Sequence, residues 1–217
     1  MKILILGASG GCGQQLVKLA VERGHTVTAA VRPSSPWKAP AGLRVVQGEL
    51  GDAAFLEQAL SGQEAVLSGL GLRLPGLAPW SQAEVPDLLS RTTPVLVAAM
   101  KAAGVSRLVA VSAGGVGDSR DKVPAFFRFF VQATALRHAY VELEKMESLL
   151  LGSGLDVCLP RPTGLTDGPL TGEVKVCQSF SGRATISRAD VAAFMLDEVV
   201  KPTFEHRTPM ISVTGIS

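Results

Sequence analysis

The chain is poor in cysteine, sparing in charge and without long apolar runs, and each shortage removes a class of protein. Its three cysteines, Cys12, Cys158 and Cys177, are odd in number and far apart, with no C-x-x-C pair. That argues against a disulfide framework or a thiolate zinc site and fits a reducing cytoplasm. Only 18% of the 217 residues are charged and the formal net charge is +2, so no strong field draws the chain to nucleic acid or to an anionic membrane. No apolar stretch reaches the roughly 20 residues of a membrane-spanning helix. Met1 leads directly into the run Lys2–Leu6, which is too short for the apolar region of a signal peptide and lacks its cleavage pattern. A soluble, cytoplasmic protein is expected, a monomer or a homodimer. Nucleic acid, membrane and metal are not expected among its partners.

What is present reads as one α/β domain spanning 1–217. The hydrophobic fraction is 47%, enough for a compact core in a chain of this length. Lys2–Leu6 is a continuous apolar run, as a parallel strand covered on both faces requires. A helical pattern from about Cys12 to Glu22 ends at Gly24. His25–Val31, Arg44–Val46, Glu64–Ser68, Arg107–Val111 and Asp156–Leu159 read as further strands. Ala53–Leu60, a segment capped by Thr93 and running to Ala103, Leu136–Leu151 and Ser187–Val200 read as helices. Met210–Val213 reads as a final short strand. This alternation predicts a Rossmann-type doubly wound parallel sheet, whose ligands bind beyond the carboxyl ends of the strands.

The strand ends carry the informative residues. After the first strand comes Gly7-Ala8-Ser9-Gly10-Gly11-Cys12-Gly13. Glycines at 7, 10 and 13 permit a tight turn, a close backbone approach to a pyrophosphate and close helix–strand packing. The helix that follows offers unpaired N–H groups and its positive dipole end. No Lys-Ser/Thr pair follows, so the turn is not a Walker loop. Cys12 has no neighbouring base and reads as filler. Arg32 closes the second strand, where a site for NAD holds a carboxylate for the ribose hydroxyls. A guanidinium there suits a 2′-phosphate, and NADP(H) is the expected cofactor; the alternative is a solvated arginine. Glu49, after the third strand, is placed to accept from an adenine amino group, or is simply solvated. Gly69-Leu70-Gly71, after the fourth, would let the backbone approach a ribose, with Arg73 two residues on to face the pyrophosphate.

The runs Gly7–Gly13, Val31-Arg32, Gly48-Glu49-Leu50, Val111-Ser112-Ala113 and Pro162–Gly172 together resemble the atypical short-chain dehydrogenase/reductases. The resemblance is to their NAD(P)H-binding, NmrA-like branch, which includes biliverdin reductase B, a flavin reductase. It covers nearly the whole chain and is most specific from Ser153-Gly154-Leu155 through Gly172. It implies hydride transfer from NADPH to a flavin or tetrapyrrole, and a quinone is a further planar acceptor that needs no acid–base machinery. The implied acceptor site is open and apolar, drawn mainly from 114–135 and 160–185. By the same resemblance Arg32 meets the 2′-phosphate, Glu49 and Leu50 frame adenine and Arg73 lies near the phosphates. Ser112 lies beside the nicotinamide, with Pro162 and Thr163 flanking its carboxamide.

The chain also departs from its relatives. Position 164 is Gly, where biliverdin reductase B carries a histidine lining the substrate site. Reductases that do proton chemistry on alcohols use Tyr-x-x-x-Lys, but Tyr140 is followed by Lys145, five positions on, and a five-residue step leaves the shared helix face. Tyr140 therefore reads as a packed or interface residue. Ser112 reads either as a donor to substrate or cofactor, or as a small residue needed for close packing. Phe126, Phe127, Phe129 and Phe130 read as a pocket wall, a dimer contact or the core side of a lid helix. Two functions fit: the reductase above, or an NADP(H)-binding redox sensor without turnover.

Overall fold

The computed structural model of the chain describes residues 1–204 and 207–216. β1 (Lys2–Leu6) is followed by α1 (Gly11–Glu22), β2 (Thr26–Val31), β3 (Arg44–Gln47), α2 (Ala53–Leu60), β4 (Ala65–Ser68), α3 (Leu88–Ala102) and β5 (Arg107–Ala110). A 3₁₀ segment (Gly117–Lys122) leads into α4 (Ala125–Ala133), α5 (Leu136–Leu151) and β6 (Asp156–Cys158). Short strands follow: β7 (Arg161–Pro162), β8 (Gly164–Thr166), β9 (Lys175–Cys177) and β10 (Thr185–Ser187), then α6 (Arg188–Val200) and β11 (Met210–Ser212).

β1 to β6 form one parallel sheet in the order β3-β2-β1-β4-β5-β6. The apolar run of β1 serves both faces. Ile3 and Ile5 are fully buried with Leu16, Val17 and Ala20 of α1 and Val191 and Leu196 of α6. Leu4 and Leu6 are buried with Leu56 and Leu60 of α2, Met100 of α3 and Met146 and Leu150 of α5. Full burial of each such side chain contributes about 1.5–3 kcal/mol. The chain winds outward from β1 to β3 and then crosses back to β4, so the ends of β1 and β4 part in opposite directions. Their crevice is the topological switch point, the place where a parallel sheet binds ligands.

The structure departs from the sequence expectation at the start of α3, and it adds α4 and the short strands β7 to β10, which the sequence pattern does not place. α3 starts at Leu88 rather than at Thr93, and Pro94 lies inside it. Thr92 and Thr93 each donate a hydroxyl hydrogen back to a carbonyl one turn earlier, Leu88 and Leu89, both at 2.6 Å. The extra turn is secured from outside the helix: Glu142 of α5 accepts from the Ser90 backbone N–H at 2.9 Å and from its hydroxyl at 2.8 Å. The final strand, β11, stands apart from the main sheet, parallel to β7 and antiparallel to β9. Among the described residues no helix is long and apolar enough to cross a membrane, and no cluster of His, Cys, Asp and Glu could hold a metal ion.

Candidate functional site

The glycines of the β1–α1 turn have different tasks. Gly7 sits at φ +68°, a left-handed conformation that disfavours any side chain. A Cβ at Gly13 would stand 2.0 Å from the Gly7 carbonyl oxygen, so the first turn of α1 rests directly on the turn's backbone. Gly10, the N-cap of α1, has ordinary extended dihedrals (φ −80°, ψ 167°). A Cβ there would meet only the carbonyl oxygens of Gly7 at 3.3 Å and Gly69 at 3.9 Å. The Gly7 contact is tight enough that the turn would have to yield by a few tenths of an ångström, far less than at Gly13. Gln14 N–H is the one that reaches the Gly10 carbonyl, at 2.8 Å. As at any helix start, the earlier N–H groups have no intrahelical acceptor and present a site for an anion. The Ser9 carbonyl accepts from the Gln14 side chain at 2.9 Å. Cys12 is buried beneath the turn, and burial pushes its thiol up, away from the thiolate a nucleophile needs.

Arg32 and Arg73 come from different strand ends and reach the same point. Arg32 Nη1 lies 3.6 Å from one carboxylate oxygen of Glu84, and Arg73 Nε lies 3.7 Å from the other. All three side chains are substantially exposed, so the pairs are loose and easily exchanged. The sequence reading places Arg73 at the pyrophosphate; the structure brings it beside Arg32. Glu84 was not foreseen, because nothing in its neighbourhood marks it. It stands where two guanidiniums favour an anion.

The neighbouring strand ends complete this half of the crevice. Glu49 is exposed, while Leu50 and Leu70 are half-buried against the core. Leu70 also closes on Gly7, since a Cβ there would lie 3.0 Å from Leu70 Cδ2. Gly71 faces open space, with nothing within 4 Å of a built Cβ. Gly69 N–H is tied to the Leu6 carbonyl at 3.0 Å. Gly69 and Leu70 thus pack directly against the β1–α1 turn, a Cβ at Gly69 lying 3.0 Å from Gly13 N, while Gly71 and Arg73 lie on the open side.

At the end of β5 the Ser112 hydroxyl belongs to a buried polar network. Ser112 donates its hydrogen to Glu147 at 2.6 Å, so Ser112 offers the site lone pairs and not a proton. Of the two readings of Ser112, a donor or a small packing residue, this bond supports the second. Glu147 is clasped by Arg161 through Nε at 2.9 Å and Nη2 at 2.6 Å, and Arg161 Nη1 reaches Asp118 at 2.5 Å. Arg161 and Glu147 are both buried, and Arg161 holds the Asp118 carboxyl below its usual range. Backbone bonds from Ser112 to Pro160 and from Gly114 to Pro162, each 2.8 Å, fasten this strand end to Pro162. The Thr163 hydroxyl pairs with that of Ser212 at 2.8 Å.

Glu147 had a signal in the sequence: it lies on the inward stripe of α5 between Leu143 and Leu150, where an unpaired carboxylate is costly. Tyr140 donates to the Gly114 carbonyl at 3.0 Å, and burial pushes its hydroxyl well above the usual phenol range. Lys145 binds Glu142 instead, at 3.0 Å. Of the phenylalanines, Phe127 packs edge-on to Tyr140 and Phe180, while Phe126 and Phe129 on α4 are 77% and 70% exposed.

A six-stranded parallel sheet with a glycine turn at its switch point and two arginines at the neighbouring strand ends defines a dinucleotide-binding Rossmann protein. The chain belongs to the NAD(P)H-binding family, whose model matches residues 7–202. It is 28% identical over 211 residues, 95% of this chain and 92% of the other, to the "uncharacterized sugar epimerase YhfK" of Bacillus subtilis (strain 168). Solved structures share the fold. ChuY, an anaerobillin reductase from Escherichia coli O157:H7, superposes with a TM-score of 0.76 at 24% identity, covering 97% of this chain and 96% of ChuY. A short-chain dehydrogenase/reductase from Veillonella parvula, solved with NADP, gives 0.79 at 19% identity, covering 97% and 93%.

Proposed function

We propose that the chain is an NADPH-dependent reductase that delivers hydride to a planar conjugated acceptor such as a flavin, a quinone or a tetrapyrrole-like ring. The observation that carries this reading is that the hydroxyls around the end of β5 are already engaged: Ser112 to Glu147, Tyr140 to Gly114, and Thr163 with Ser212. A conjugated ring spreads the charge it receives and can take its proton from water, so it needs orientation and a dry face more than a positioned acid. The bound nicotinamide would supply the hydride. The chain's own residues would hold the dinucleotide in the crevice and leave the nicotinamide face open toward 114–135 and 160–185, where Phe126 and Phe129 offer apolar surface.

The glycine turn and α1 would seat the pyrophosphate. Arg32 and Arg73 would take the 2′-phosphate, replacing Glu84, which supports NADP(H) over NAD(H). An epimerase, as the Bacillus relative's name suggests, needs an acid–base pair that Tyr140 and Lys145 do not form. The reductase name of ChuY accords with the present reading.

The test is NADPH oxidation by the full chain across a panel of flavins, quinones and biliverdin, with Tyr140→Phe in parallel. Turnover with at least one planar acceptor is expected, and Tyr140→Phe should retain most of it. A loss of about a hundredfold or more in kcat with unchanged NADPH affinity is the scale of a true general acid and would overturn the reading. Tight NADPH binding with no turnover on any acceptor would favour a redox sensor instead.

A further inference from the structure

Gly11 is not demanded by the glycine spacing at 7, 10 and 13, yet a side chain there meets an obstacle. A built Cβ would lie 2.9 Å from both Cδ and Nε of Arg188. The arginine stem therefore lies across the first residue of α1, although the two residues are far apart in sequence. Its position is well fixed at the root. Ser187 caps α6 by accepting from Asp190 N–H at 2.9 Å, and Asp190 in turn accepts from Thr171 and Gly172 N–H at 2.8 and 2.9 Å. Its tip is held lightly: the guanidinium reaches Asp167 at 2.6 Å, but that carboxylate is 89% exposed. Arg188 itself is only 28% exposed, so the arginine stays in place while its water-exposed carboxylate partner, worth little as a surface ion pair, can be exchanged for a better anion.

The geometry points to Arg188 as a further phosphate-binding residue of the dinucleotide site, resting on Asp167 and exchanging it for the pyrophosphate when cofactor arrives. The inference rests on the dinucleotide reading above. Glycine at position 11 fits this role, since a side chain there would displace the arginine from the helix start. It also separates two kinds of cation. Arg32 and Arg73 would meet the phosphate that only NADP(H) carries, whereas Arg188 would meet the pyrophosphate that NADP(H) and NAD(H) share.

Calorimetric titration of the full-length wild type, Arg188→Ala, Arg188→Lys and Asp167→Asn with NADPH, NADH and adenosine 2′-phosphate tests this. Arg188→Ala should weaken NADPH and NADH by one common factor, about tenfold for a charge-assisted contact. It should leave adenosine 2′-phosphate unchanged and melt close to wild type. Arg188→Lys should recover part of the loss, and Asp167→Asn should tighten both dinucleotides severalfold. The inference is overturned if Arg188→Ala binds both dinucleotides like wild type, if its loss is confined to NADPH, or if adenosine 2′-phosphate weakens equally. Weaker dinucleotide binding by Asp167→Asn would also overturn it, since the pair and not the released arginine would then build the site. A wild type that binds neither dinucleotide overturns the cofactor reading itself, which distinguishes the two failures.

Discussion

Gly10 and Gly13 differ in what holds them to glycine. Gly13 is required by the fold, because its Cβ would collide with the Gly7 carbonyl. Gly10 is crowded only mildly, its built Cβ 3.3 Å from the same oxygen, so a side chain there strains the turn little and chiefly obstructs the approach to α1. Gly10→Val should therefore fold, losing about 1 kcal/mol for the poorer N-cap. Its dinucleotide affinity should fall about a hundredfold or more, because the side chain would fill the phosphate's approach. Thermal melting and calorimetry on the same preparation separate the two effects. A Gly10→Val protein with wild-type affinity would remove the turn from the site.

Among the elements, α6 shows how a helix start can organise a loop. Burial alone would raise the Asp190 carboxyl, but bonds from Ser187, Gly172 and Thr171 together hold it below its ordinary range. Because its folded pKa lies below the unfolded one, the stabilisation is complete above the unfolded value near 3.9 and is lost as pH falls through the folded value. Asp190→Asn should cost about 1–3 kcal/mol at neutral pH. In denaturant titrations the gap from wild type should hold down to about pH 4 and close below it. A gap of the same size at pH 7 and pH 2 would mean that the charge plays no part.

The longer elements were legible because their pattern is local: the doubly buried strands are apolar throughout, and the main helices carry an apolar stripe. The first turn of α3 was not, because Glu142 holds it from 52 residues away along the chain. The strands from β7 onward outside the main sheet were mostly hidden too, since two or three residues carry no periodicity.

For the whole molecule, the candidate site is legible in the sequence wherever one segment contains it. Gly7 to Gly13 and Arg32 announce themselves by order and spacing. Glu84 and Arg188 do not, because each acquires meaning only when the fold brings distant segments together, and Glu147 is marked only by its place on the buried stripe of α5. The account as a whole stands on the assignment of Arg32. Its contact with Glu84 is loose and exposed, so Arg32→Ala should leave folding nearly unchanged.

Titration of wild type, Arg32→Ala and Arg32→Asp with NADPH and NADH reads that assignment directly. Wild type should prefer NADPH by roughly ten- to hundredfold, the equivalent of one charge-assisted contact of about 1.5–3 kcal/mol. Arg32→Ala should erase most of the preference by weakening NADPH alone. Arg32→Asp should reverse it, because the carboxylate repels the phosphate and accepts from a ribose hydroxyl. Equal wild-type affinities, or a ratio unchanged in Arg32→Ala, would contradict the account.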